Sequence, residues 1–203
     1  MIPLVEQIME VEREVRQRGR LYPQWIEQGR LTRSAADEAL ERLRACQSTM
    51  TWLDANGEWI RAEAPKHAGE PAAQRFTFDP VATGIPLHTQ LDELQRELRL
   101  REKVYPTWVE KRRLKPETAV AKLTTLRAAH ATMLWLGRNS RWIERGAQDR
   151  LAASVAHDPA VQAVKAAFPE AEITAVRSLV APSDTRSASR PDGAEHHSTE
   201  AHP

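Results

Sequence analysis

Apolar residues near the start of the chain fall at Leu4, Ile8, Val11 and Val15, in steps of four, three and four. That spacing draws one stripe down the side of a helix. Continued, the stripe meets Arg18, Tyr22 and Trp25. The other faces carry Glu6, Glu10, Glu12, Arg13, Glu14, Arg16 and Arg20. They read as a solvent face, with favourable Glu12–Arg16 and Glu14–Arg18 pairs four residues apart and one like-charge pair, Glu10–Glu14. Pro3 suits a first helical turn. Pro23 lacks the amide that a helix interior uses, so it predicts a kink or a fresh turn. Gly29 predicts the stop and Thr32 the cap of the next helix. That second helix is predicted over 33–60, through Ala36, Leu40, Leu43, Cys46, Met50 and Leu53. So short a connection makes the two helices antiparallel neighbours, a helical hairpin.

The pattern then recurs. Residues 2–60 align with 85–143 at a constant offset of 83, and 27 of the 59 positions are identical. All six Trp and both Tyr fall at matched positions. The second stripe is Leu87, Leu91, Leu94, Leu98, Arg101, Tyr105 and Trp108, and Pro116 takes the first position of its second helix. The expected organisation is a hairpin over 1–61, a Pro- and Gly-containing linker over 62–84 and a second hairpin over 85–145. Within the linker, Arg75-Phe76-Thr77-Phe78 alternates polar and apolar, as a short strand or as an anchor onto the helices. A small helix–strand appendage is expected over 146–181, with helices near 148–155 and 159–168 and a strand over 171–180. The composition of 182–203 predicts disorder. One hairpin buries only one seam, and Trp52, Trp59, Trp135 and Trp142 need cover as well. The expected fold class is therefore mainly α: two tandem hairpins forming an antiparallel four-helix bundle.

Composition narrows the function classes. A net charge of +1 gives no global drive toward nucleic acid or acidic lipid. Cys46 is the single cysteine, which excludes an intramolecular disulfide and a multi-cysteine zinc site. No apolar run of about 18 residues is present to span a bilayer. The N-terminus passes directly into charged amphipathic sequence, so the expected location is cytoplasmic.

The candidate sites each have two readings. Tyr22, Trp25, Tyr105 and Trp108 either seal the closed ends of the hairpins or form a paired aromatic surface for bases or a partner helix. Arg18 and Arg101 either run their stems across the apolar seam or face the other hairpin and pair with a carboxylate there. Arg30 and Arg113 sit in the two turns, where a cation near a helix C-terminus is favourable by itself. Lys111, Arg112 and Lys115 extend the second turn into a basic cluster, either solvated or touching phosphate. His130 reads as a packing residue and His196–His197 as a weak metal signal. No nucleophile–base arrangement, phosphate loop or metal-ligand spacing stands out, so no catalytic residue, metal or cofactor is expected.

The segments around Tyr22-Pro23-x-Trp25 and Tyr105-Pro106-x-Trp108, with Glu10, Arg13, Glu14 and their partners 83 positions on, resemble a group of small uncharacterised helical-hairpin proteins of phages and prophages. The likeness covers about 120 residues, each such protein matching one hairpin. It implies a mobile-element origin and brings no activity. The segment from His157-Asp158-Pro159 to Ile173 is similar to the C-terminal end of bacterial clamp-loader gamma/tau subunits, which implies contact with replication machinery. The expected function is non-enzymatic: a protein–protein interaction module with a protein partner, acting as a monomer or homodimer away from membranes. The alternative is a nucleic-acid-binding module using the basic 93–115 face.

Overall fold

A computed structural model gives the protein's fold over residues 2–170 and Glu172. Six α-helices carry it: α1 (Leu4–Glu27), α2 (Arg33–Ala55), α3 (Gly57–Glu63), α4 (Leu87–Glu110), α5 (Pro116–Ala156) and α6 (Pro159–Ala167). A short 3-10 turn, Ala64–His67, follows α3. The hairpins α1/α2 and α4/α5 are the expected pairs. Helix α1 packs on both α2 and α5, and α4 on both α5 and α2. The packing is compatible with a four-helix bundle, in which α1 and α4 lie across the centre from one another.

The local chemistry explains most boundaries. The Thr32 hydroxyl accepts the Ala35 amide at 3.3 Å and so caps α2. Pro116 opens α5, and Asp158 caps α6 by accepting the Ala160 amide at 2.8 Å. Both hairpin turns close alike. The amides of Arg30 and Leu31 donate to the Trp25 carbonyl, and those of Arg113 and Leu114 to the Trp108 carbonyl. The turn needs one left-handed residue, filled by Gly29 (φ 66°) in the first hairpin and by Arg112 (φ 52°) in the second.

Three expectations change. Pro23 and Pro106 lie inside α1 and α4, which run on through them, so no fresh helix starts at Pro23. The second helix of the first hairpin breaks at Asn56, before Gly57, so 33–60 is not one helix. At the matched place, Asn139-Ser140, α5 continues for a further turn after turn to Ala156. The separate helix expected near 148–155 is therefore the end of α5, since nothing between Ser140 and Ala156 beyond Gly146 weakens it. No strand occurs among the described residues. Arg75–Phe78 acts as an anchor: Phe78 is buried edge-on to Trp52, and the Phe76 ring lies on Gly137 of α5. The strand expected over 171–180 and the tail over 182–203 lie outside the described residues.

The apolar core joins both hairpins. Val11, Leu43, Cys46, Met50 and Leu53 meet Leu87, Leu94, Leu98, Leu126, Met133, Leu136 and Ile143, with Leu4, Ile8 and Val15 packed against them. Each fully buried side chain of this size contributes about 1.5–3 kcal/mol.

Candidate functional site

Between α1 and α4 the core is not apolar. Arg18 and Arg101 are 4% and 3% exposed, and each points at the opposite helix. Arg18 donates from Nε to Glu14 on its own helix at 2.8 Å, and from its terminal nitrogens to Glu93 at 2.8 Å and to Glu97 on α4. Arg101 repeats the arrangement in reverse. Its Nε donates to Glu97 on its own helix at 2.6 Å, and its terminal nitrogens reach Glu14 at 2.7 Å and Glu10 on α1. Glu10, Glu14 and Arg18 are the residues matched, 83 positions on, to Glu93, Glu97 and Arg101. At the rim Arg13 holds Glu10, and its counterpart Arg96 holds Glu93. The lattice thus contains four carboxylates and four guanidinium groups.

Local sequence builds this face. On a helix, residues four apart stack, and long side chains lean toward the N-terminus. Glu10, Glu14 and Arg18 therefore form one column, with Arg18 reaching back over Glu14. Tyr22 continues the column and accepts from Arg18 at 3.0 Å. The Arg101 guanidinium lies 5.9 Å from the Tyr105 ring centre, the same relation that Arg18 has to Tyr22. Planar, forked guanidinium groups can serve three carboxylates at once, which an ammonium cannot do with the same geometry.

Electrostatics follow from this pairing. Burial by itself pushes the Glu10 carboxyl up, but hydrogen bonds and charge from Arg13 and Arg101 outweigh it and hold the pKa below the usual value of 4.5. For Glu14 burial is likewise overcome, by the charges of Arg101 and Arg18. Burial alone would lower Arg18 and Arg101; the carboxylates around them raise both instead. Burial raises the Tyr105 hydroxyl and the Cys46 thiol. The thiol donates to the Gln90 carbonyl at 3.3 Å, so Cys46 ties α2 to α4.

The face read as solvent-exposed is thus partly interior. Glu10 and Glu14 are buried, and the like-charge pair they form is resolved by guanidinium groups arriving from both helices. Of the two readings of Arg18 and Arg101, the pairing with carboxylates of the other hairpin is the one found.

The remaining candidates separate into buried and exposed. Tyr22 and Tyr105 are buried; Trp25 beside Tyr22 is half-buried, and Trp108 beside Tyr105 is 38% exposed. Arg30 lies over the Trp25 ring at 5.2 Å, a contact with no equivalent recorded for Arg113 and Trp108. Lys111, Arg112 and Arg113 are all exposed, and none takes part in an ion pair among the described residues. Burial lowers the pKa of His130, as for a packing residue. No cluster of three or more metal-ligating side chains occurs among the described residues. His196 and His197 fall outside them.

A second group of aromatic residues, unremarked in sequence except as needing cover, gathers where α3 meets α5. Trp142 is buried, with Trp59 and Trp135 packed edge-on and His67 stacked flat at 4.7 Å. His67 contacts Glu70 at 2.7 Å, and Glu70 meets Arg145 of α5 at 3.3 Å. Arg150 covers Trp59. A cleft lined by Trp59, Glu63, His67, Arg145, Asp149 and Arg150 opens beside it.

No helix among the described residues is long and apolar enough to cross a membrane. Compared with family models, curated proteins and solved structures, the chain matches none of them.

Proposed function

We propose that the protein is a non-enzymatic protein–protein interaction module, an antiparallel four-helix bundle made from a duplicated hairpin, of the mobile-element origin that its resemblance implies. The observation that carries this reading is the reciprocal lattice. The ionisable groups that converge in the molecule bind one another, and their chemistry is structural: it fixes which face of one hairpin meets which face of the other. A buried pair of this kind contributes little net stability over an apolar core but penalises a wrong register heavily, because a displaced charge is left unpaired. What the two hairpins then offer outward are their matched closed ends, Trp25 with Arg30 and Trp108 with Arg113. Trp and Arg are the residue types that most often anchor protein contacts. Two such ends on one body suit a bivalent partner.

A second reading is supported by the cations Lys111, Arg112 and Arg113 at the second turn, without an ion pair among the described residues, beside an exposed Trp108. That combination also fits single-stranded nucleic acid, with stacking on Trp and phosphate held by the turn. Titration with single- and double-stranded DNA and RNA at two salt concentrations, read by tryptophan fluorescence, separates the two. The leading reading predicts no binding even at low salt, and a protein complex that is insensitive to salt and weakened by Trp25→Ala with Trp108→Ala. Salt-dependent nucleic-acid binding abolished by Lys111→Glu, Arg112→Glu and Arg113→Glu in a folded protein would replace it with the second.

A further inference from the structure

The lattice has a property that a simple interface between two different surfaces lacks. Glu10, Glu14 and Arg18 meet Glu93, Glu97 and Arg101, and the two triplets are the same residues in the same spacing. The face is isologous: what one hairpin donates it also accepts. An α1 column set against the α1 column of another copy would therefore find Arg18 opposite Glu10 and Glu14, the bonds it makes now to Glu93 and Glu97. We propose that the charged face of each hairpin pairs like with like. The partner it fits is a second copy of this chain, engaged by exchange of hairpins. This rests on the protein-binding reading above and names the partner for that face.

Two features of the molecule support the exchange. The strip between α1 and α4 is ionic, so in a separated hairpin water solvates its charges, and the apolar flanks beside it are re-covered by the flanks of the second copy. The segment between α3 and α4, 64–86, has 23 residues. Extended at about 3.3 Å per residue it reaches roughly 75 Å, about twice the length of either arm of the first hairpin. That segment also packs on the closed chain, through Phe76 on Gly137, Phe78 against Trp52, His67 on Trp142 and Glu70 with Arg145, contacts that favour one chain closing on itself.

The apolar flanks explain why one chain prefers to close on itself. Val11 and Val15 of the first hairpin match Leu94 and Leu98 of the second. Pairing unlike hairpins sets smaller residues with larger ones, whereas pairing like hairpins doubles up the small or the large ones. Tethering adds a high effective concentration in favour of the closed chain. Charge permits both pairings, and volume with tethering selects the intramolecular one.

Reversing the charges of one hairpin tests this directly. The full-length variant Glu10→Arg, Arg13→Glu, Glu14→Arg, Arg18→Glu makes every ion pair between its own α1 and α4 repulsive, while each hairpin still suits its own kind. Two such chains can satisfy all their charges only by pairing first hairpin with first and second with second. A companion variant adds Glu93→Arg, Arg96→Glu, Glu97→Arg and Arg101→Glu, which restores complementarity within one chain. By sedimentation, the wild-type chain and the eight-substitution variant are expected at the mass of one chain, 22.9 kDa for the wild type. The four-substitution variant is expected at twice the one-chain mass, with the same helical circular dichroism. A four-substitution variant that stays at one-chain mass, or that unfolds while the eight-substitution variant folds, would overturn the proposal. So would an unfolded eight-substitution variant, because a self-complementary lattice must tolerate the exchange of its signs. Either failure leaves the titrations above, and the reading they test, untouched.

Discussion

The two hairpins share 27 of 59 aligned positions and dock through identical charged triplets, yet they part company at both ends. At the closed ends, the same left-handed turn is made by Gly29 in one and Arg112 in the other. At the open ends, the first hairpin breaks at Asn56-Gly57, while the second runs as one helix of 41 residues. Both asparagines make the same bond, from the side-chain amide to the carbonyl of the Trp four residues earlier, Trp52 at 2.9 Å and Trp135 at 2.8 Å. The break therefore comes from Gly57, whose flexible backbone weakens a helix, where the second hairpin has Ser140. At both ends the backbones part where one residue's conformational freedom decides the local path. At the centre, where each charge has partners on both helices, the two copies have stayed alike.

The largest effect should come from the shared centre. Arg18→Ala and Arg101→Ala should each destabilise by about 3–5 kcal/mol, because each leaves four buried carboxylates to share three guanidinium groups. The two losses should be similar in size. The exposed pair Arg16→Ala and Arg99→Ala, matched and close by in sequence, should each change stability by less than about 0.5 kcal/mol. Denaturant titration of the four variants separates interior from surface arginine.

Acid should act on the same centre. Glu10 and Glu14 have folded-state pKa values below the ordinary 4.5. The stability this provides is fully present above that ordinary value and is lost as pH falls through the lower folded-state values. Urea midpoints should hold from pH 7 to about 5 and fall progressively below about 4.5. Because the lattice is buried, raising salt at pH 7 should shift the midpoint little.

Smaller effects probe the ends. A Cβ placed on Gly137 would stand 2.9 Å from the Phe76 ring, so Gly137→Ala should cost about 1–3 kcal/mol by displacing the linker anchor. Gly57 has open space, its nearest neighbour being the end of Arg61 at 3.9 Å. Gly57→Ala should therefore stabilise by up to about 1 kcal/mol and make the open ends more alike. At the closed ends Arg112→Gly should stabilise by about 0.5 kcal/mol, while Gly29→Ala should destabilise by about 1 kcal/mol. Thermal unfolding resolves both signs.

The hairpins were legible because their signals are local. Thr32 as a cap, Gly29 as a stop, Pro116 at a first turn and the apolar stripe each act within a few residues, and the structure uses them so. The lattice was legible only as one of two readings of Arg18 and Arg101, and its carboxylates were not named, because the partners lie 75 to 91 residues apart. Taken alone, α1 shows Glu10 and Glu14 beside cations of their own helix, which is how a solvent face looks. The useful signal was the comparison between copies. Glu10, Arg13, Glu14 and Arg18 are identical at 93, 96, 97 and 101, whereas Glu6, Glu12 and Arg20 have become Thr89, Gln95 and Lys103. Identity between copies is not enough by itself, since the exposed Arg16 and Arg99 are also the same; it marks these four because they share the helix face of the stripe arginine. An Arg on an apolar stripe, one helical turn beyond a Glu pair, was the second clue. The aromatic group at Trp142 was hidden for another reason: it depends on the linker returning His67 to α5, which no periodicity encodes.

The account stands on the claim that Arg18 and Glu97 hold the two hairpins together as partners. A double-mutant cycle measures it: Arg18→Met, Glu97→Met and the pair together, each unfolded by urea at pH 7. If the residues are coupled across the centre, the double variant should lose less than the sum of the single losses, by about 0.5–3 kcal/mol. Losses that add to within about 0.5 kcal/mol would show that the two side chains act independently, and the lattice would not be what joins the hairpins.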